Sequence, residues 1–105
     1  MLVVNRFRAA EDDASFRADL ELALATLADR AGYEDGRLGR NVDDPTLWVM
    51  VTRWQNVGSY RRALSSYEVK LNAVQTLSRA IEEPSAFEPL DGDLNTAVPR
   101  DLDAR

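Results

Sequence analysis

The sequence predicts an α+β fold in which an antiparallel sheet carries helices on one face. Three observations point there. Two stretches, Leu2–Arg8 and Leu47–Trp54, are rich in β-branched and aromatic residues and unbroken by Gly or Pro. Two others, after residues 13 and 58, repeat apolar residues at helical spacing. Turn residues, Asp43-Asp44-Pro45, fall between the third strand candidate and a weaker one before it.

Taken in order, LVVNRFR at 2–8 reads as the first strand. Side chains alternate across a strand, so Val3, Asn5 and Phe7 share one face and Leu2, Val4 and Arg6 the other. The acidic run Glu11-Asp12-Asp13 suits a helix start, where the dipole favours negative charge and Asp13 or Ser15 can cap. Phe16, Leu20, Ala23, Leu24, Leu27 and Ala31 then predict a helix over about 14–31, stopped by Gly32. Residues 33–41 form a weaker strand whose glycines signal a bulge or an edge. With the strong strand Leu47–Trp54 it makes a hairpin across the Asp43-Asp44-Pro45 turn. A short helix is expected over 59–65 and a second over 67–81, with Val69, Ala73, Val74, Leu77 and Ile81 on one stripe and Pro84 ending it. Ser85–Pro89 is a short last strand.

The order strand, helix, strand, strand, helix, strand is the ferredoxin-like split βαβ arrangement. Residues 1–89 make one domain, and 90–105, without periodicity, a C-terminal tail. The sheet face of Leu2, Val4, Leu47, Val49 and Val51 has no predicted helix over it. A monomer rarely leaves such a face in water, so a homodimer through the sheet is expected.

Composition narrows the chemistry. The chain has 105 residues, 13 basic against 18 acidic, and a net charge of −5. Nucleic-acid binding needs clustered cations on one face, and only Arg61-Arg62 are adjacent. No basic amphipathic helix, membrane-length apolar run or signal-peptide pattern is present. A cytoplasmic protein is expected, with neither nucleic-acid nor membrane partners. Cysteine and histidine are both absent. That removes thiolate catalysis, cysteine metal sites, the usual zinc ligand and the usual proximal haem ligand. No cofactor and no metal are expected.

Two carboxylate patterns stand out. Asp91-Gly-Asp93-Leu-Asn95 opens like a calcium loop, but Thr96 and Leu102 stand where such a loop needs Gly and Glu. Asp43-Asp44 could pair as catalytic acids, but before Pro45 they are turn formers.

The remaining constellation lies on the helix-facing side of the sheet. Trp48, Met50, Thr52 and Trp54 share that face by parity, with Asn5 and Phe7 on the first strand and Tyr60 just beyond the strand-to-helix junction. One reading is an aromatic-lined small-molecule cavity with few polar handles. The other is a packed core in which Asn5 and Tyr60 satisfy backbone groups. Residue types alone leave both open.

LVVNRF, GYEDGRLGR, DDPTLWVMVTRWQNVGSYRRAL and EPSAFE resemble the antibiotic biosynthesis monooxygenase family over about residues 2–89. The most specific element is Trp54 ending the third strand, with Tyr60 six residues on. The resemblance implies a dimeric α/β barrel in which two ferredoxin-like sheets pack face to face. It implies a cofactor-independent oxygenase converting a phenolic or hydroquinone-type substrate to a quinone with molecular oxygen. The family's cavity tryptophan and tyrosine fall on Trp54 and Tyr60; its asparagine four residues before the tryptophan is replaced by Met50. Haem-degrading relatives use a first-strand asparagine and the same tryptophan, matched by Asn5 and Trp54, plus a histidine this chain lacks. The resemblance thus makes Asn5, Trp54 and Tyr60 catalytic candidates, while the shared helix-facing side makes Phe7, Trp48, Met50 and Thr52 substrate-binding ones. A non-catalytic small-molecule-binding or accessory protein of the same fold is the alternative.

Overall fold

A computed structural model describes residues 1–91. The calcium-like motif, beyond Asp91, and all of the tail except Leu90 and Asp91 lie outside the described residues. The elements run β1 (Leu2–Arg8), α1 (Ala14–Ala28), β2 (Tyr33–Arg40), β3 (Leu47–Trp54), α2 (Val57–Ser65), α3 (Tyr67–Asn72), α4 (Val74–Leu77) and β4 (Ala86–Phe87).

The four strands form one antiparallel sheet in the order β2-β3-β1-β4. This is the ferredoxin-like order expected from the sequence. β3 lies at the centre, pairing Asn5 with Met50, Val3 with Thr52 and Phe7 with Trp48 on one side. On its other side β2 pairs as an edge strand, with a bulge between Tyr33 and Asp35. The glycines of β2 signalled a bulge or an edge; the strand is an edge, and its bulge falls at Glu34, away from both glycines.

Parity decides burial. Trp48, Met50, Thr52 and Trp54 are buried on the inner face, while Leu47, Val49 and Val51 on the outer face are only partly covered. Against the inner face pack Phe16, Leu20, Ala23 and Leu27 of α1, Ala63 of α2, and Val69 and Ala73 at α3. All the helices sit on this one face.

Four local expectations shift. Helix α1 ends at Ala28 rather than 31: the N–H groups of Asp29 and Arg30 turn back to Thr26 and Leu27, and Gly32 at φ 91° redirects the chain into β2. Helix α2 begins at Val57, two residues early, because the Asn56 side chain accepts from the Ser59 N–H at 2.8 Å. The expected helix over 67–81 breaks at Ala73 (φ −131°) into α3 and α4 and stops at Leu77. Thr76 is buried there and Val74 faces solvent, so the apolar stripe departs from its predicted course. Beyond it the Ile81 N–H donates to the Arg6 carbonyl at 2.7 Å, drawing the chain along the edge of β1. The last strand is two residues long because Pro84 and Pro89 flank it without an N–H.

Candidate functional site

Trp54 organises one end of the inner face. It closes β3, and its backbone N–H is fixed by the Met1 carbonyl at 2.8 Å. The next residue, Gln55, donates to the Gly32 carbonyl at 2.7 Å. That bond brings the start of β2 beside the start of α2. A Cβ on Gly32 would lie 2.3 Å from the Ser59 Cβ, so glycine permits this approach as well as the turn. Two tyrosines then flank the indole. Tyr33, opposite Trp54 in the sheet, meets it edge-on with ring centroids 5.5 Å apart at 88°. Tyr60, in the first turn of α2, packs at 5.3 Å and 54°. Trp54 has no exposed surface.

The indole N–H of Trp54 donates to the Thr52 hydroxyl at 2.8 Å. It is therefore committed within its own strand rather than free to donate to a bound molecule. The hydroxyl of Tyr60 and the amide of Asn5 are the other polar groups here. Asn5 is within hydrogen-bonding reach of the Tyr60 oxygen. Burial raises the Tyr60 pKa above its ordinary value and the Asn5 contact offsets part of that. Tyr60 thus keeps its proton at neutral pH, which leaves its hydroxyl able to donate.

Exposure differs along this face. On the inner face of β1, Val3 and Phe7 are sealed, yet Asn5 between them is only half-buried. Tyr60 is half-buried too. Solvent reaches the sheet–helix layer at the Asn5–Tyr60 pair. Met50, opposite Asn5 and fully covered, forms an apolar wall there.

Phe7 and Trp48 fall elsewhere. Trp48 lies six positions before Trp54 along β3, about 20 Å at strand rise. Phe7 packs on Phe16 (5.5 Å, 63°) and Phe16 on Trp48 (5.4 Å, 82°) in a second aromatic cluster. Trp48 donates its indole N–H to the Ala9 carbonyl at 3.2 Å. The structure therefore brings Asn5, Met50, Thr52, Trp54 and Tyr60 to one region and leaves Phe7 and Trp48 at the other end of the layer.

Tyr33 was missed in the sequence. The hairpin register contained the signal: pairing Arg40 with Trp48 and counting back with one bulged residue brings Tyr33 to Trp54. Burial raises the Tyr33 pKa; nearby Asp35 raises it further and Arg37 lowers it. Asp44 serves the turn. It accepts from the Thr46 hydroxyl (2.6 Å) and from Arg8 (2.6 Å), and its pKa drops to about 2, chiefly through those bonds. Arg53 and Arg61, beside this region in sequence, are exposed. Among the described residues, no three His, Cys, Asp or Glu side chains converge as metal ligands, and no helix is long and apolar enough to cross a membrane.

Comparison with known proteins gives the same architecture. Residues 1–72 match the profile of the family described as antibiotic biosynthesis monooxygenase. No curated protein matches the chain. Among solved structures, SnoaB, a cofactor-independent oxygenase from Streptomyces nogalater, superposes with a TM-score of 0.67 at 23% identity, over 87% of this chain and 96% of that one. Rv0793 from Mycobacterium tuberculosis gives 0.67 at 20% identity, covering 87% and 95%. A conserved protein from Methanosarcina mazei gives 0.65 at 17% identity, covering 81% and 84%. At these identities the superpositions establish the fold.

Proposed function

The chain belongs to the antibiotic biosynthesis monooxygenase family, and from that membership we propose that it is a cofactor-independent monooxygenase acting on a phenolic or hydroquinone-type aromatic metabolite. The carrying observation is the Asn5–Tyr60 pair: two neutral, half-buried hydrogen-bond donors in a largely apolar layer, beside a buried indole. A planar aromatic ring suits a wall of Met50, Trp54 and Tyr60.

In this reading the substrate supplies the electrons. Its phenolate passes one electron to dioxygen, and the resulting radical pair recombines to form a C–O bond. The peroxide then breaks its O–O bond; one oxygen stays as the quinone carbonyl and the other leaves as water. The substrate supplies all four electrons that reduce dioxygen, and its phenol O–H and ring C–H supply the two hydrogens of the water, so no external reductant enters. The protein orients the ring, excludes water and stabilises the phenolate oxygen through Tyr60 O–H and Asn5 N–H. Trp54, its N–H bonded to Thr52, acts as a fixed wall.

We place residues 1–89 in one domain and 90–105 in a tail, and the active form as a cytoplasmic homodimer. Leu2, Val4, Leu47, Val49 and Val51, with half-exposed Phe87, make an outer sheet face without a helix over it. A second copy packed there gives the dimeric α/β barrel. Two observations favour a second reading, a non-catalytic binding or accessory protein: Met50 is apolar where relatives have an asparagine, and the Trp54 N–H is committed internally. Oxygen uptake with anthrone-like and naphthol-like compounds, without added cofactor, separates the two. Uptake that follows substrate supports the monooxygenase; binding without uptake assigns the accessory role.

A further inference from the structure

The far end of the sheet–helix layer carries its own opening. A cleft of about 210 Å³ lies between α1 and the edge strand β2, lined by Arg17, Leu20, Glu21, Leu38, Arg40 and Trp48. Its lining contains none of the Asn5, Trp54 and Tyr60 side chains. Leu20, Leu38 and the Trp48 indole give it an apolar floor. Above that floor the Arg40 guanidinium stacks on the Trp48 ring, 5.3 Å from its centroid.

The two arginines are weakly committed. Arg40 donates to the backbone carbonyl of Glu11 at 2.7 Å and makes no carboxylate ion pair among the described residues. Arg17 touches Glu21 at 3.4 Å, a surface pair with both side chains mostly exposed. Such pairs are worth little in water. Its place over Trp48 holds the Arg40 guanidinium beside the apolar floor and leaves its charge in place. A stacked guanidinium beside an apolar floor matches a flat ring bearing one carboxylate: the ring meets the floor and the carboxylate meets the fork.

Size and charge refine the occupant. Drug-sized ligands take pockets of about 300–1,000 Å³, so this cleft holds one ring. A second hollow of about 160 Å³ shares Arg17, Arg40 and Trp48 but is rimmed by Glu11, Asp12 and Asp13. Asp13 is occupied in capping the Phe16 N–H at 2.8 Å. Glu11 and Asp12 are exposed and, with Glu21 in the cleft wall, oppose negative charge, which weighs more against a polyanion such as a phosphate ester than against one carboxylate.

We propose that the α1–β2 cleft is a second binding site, distinct from the Trp54 region, for a one-ring aromatic monocarboxylate seated on Trp48 and held by Arg40 and Arg17. It stands independently of the oxygenase reading.

The chain has two tryptophans, so its proton–nitrogen spectrum contains two indole N–H signals. Benzoate titrated into the full-length protein shifts the Trp48 signal and leaves that of Trp54 in place. Benzyl alcohol, with the same ring and no charge, binds about tenfold more weakly, the worth of one charge-assisted hydrogen bond. Arg40→Gln weakens benzoate by a similar factor; Arg17→Gln weakens it by several-fold and serves where Arg40→Gln perturbs the fold. Trp54→Phe leaves the titration unchanged. The site is refuted by an unmoved Trp48 signal at millimolar benzoate, by equal affinity for benzoate and benzyl alcohol, or by benzoate binding that disappears in Trp54→Phe and survives both arginine variants.

Discussion

Thr52 and Trp54, two residues apart on the inner face of β3, are joined by a 2.8 Å hydrogen bond from indole N–H to hydroxyl, with both side chains fully buried. The bond ties the largest buried side chain to its own strand and sets the ring plane against which Tyr33 and Tyr60 pack. Thr52→Val keeps the shape and removes the acceptor, leaving a buried N–H unsatisfied. That costs about 1–3 kcal/mol. Thr52→Ser retains the oxygen and recovers most of the loss. Urea unfolding of the three proteins checks this; equal midpoints for wild type and Thr52→Val would disprove the role assigned to the bond.

Gly32 controls how α2 approaches the sheet. At φ 91° it is the one described residue with a left-handed backbone, and its α-carbon hydrogen faces Ser59. Gly32→Ala adds a methyl 2.3 Å from the Ser59 Cβ in a conformation alanine resists. Strain of this kind costs about 1–3 kcal/mol before the clash is relieved. Because relief moves α2, Tyr60 shifts relative to Trp54. The expected outcome is a lower melting temperature together with altered tryptophan fluorescence, whereas Gly39→Ala, with the nearest atom at 3.6 Å, changes little.

The fold was legible where a single pattern dominated. β3 runs from Leu47 to Trp54 as predicted, because eight strand-forming residues end at a cap, Asn56, and begin at a turn. Parity along β1 and β3 told the inner face from the outer one. The helix after Ser66 was misread because Val74 fits a stripe that tertiary packing gives instead to Thr76. The site was half legible. Trp54 and Tyr60 meet as their spacing suggests, but the partner of an indole N–H is a matter of rotamers, which no periodicity encodes. Likewise, parity placed Trp48 on the correct face and said nothing of the distance along it.

Val49 tests the proposed dimer. It is central on the outer face, between Gly39 of β2 and Arg6 of β1, and only partly covered in the single chain. Val49→Lys places a charge at the middle of an interface held by apolar burial, at roughly 25 cal/mol per Å². Light scattering is expected to give a dimer for the wild type and a monomer for the variant. A wild-type monomer at micromolar concentration would remove the dimer from the proposal.

Asp44 predicts an acid-sensitive turn. Its pKa falls from 3.8 to about 2 through bonds to Thr46 and Arg8. A depressed folded pKa means that the unfolded chain binds protons first as pH drops. The stabilisation is complete above pH 3.8 and declines as pH falls toward 2. Asp44→Asn lacks this titration, so its stability approaches that of wild type as the pH is lowered through that window. A gap between the two proteins that stays constant down to pH 2 would contradict the assignment.

Asn5 and Tyr60 carry the proposed chemistry, and their contributions separate by substitution. Tyr60→Phe removes a hydroxyl whose raised pKa keeps it a donor through neutral pH, and Asn5→Ala removes the amide beside it. Each donor to a developing oxyanion is typically worth about 3 kcal/mol, or roughly a hundredfold in rate. Both variants are therefore expected to lower kcat for oxygen uptake far more than they raise KM. The raised pKa gives a second signature. A group that holds its proton more tightly when folded stabilises the protein below its unfolded pKa and loses that contribution as pH climbs through the folded one. Wild-type stability accordingly falls in the alkaline range above the ordinary tyrosine value of 10.0, and Tyr60→Phe flattens that decline. If Tyr60→Phe leaves both kcat and the alkaline decline intact, the hydroxyl is a packing group and the accessory reading takes the place of the monooxygenase.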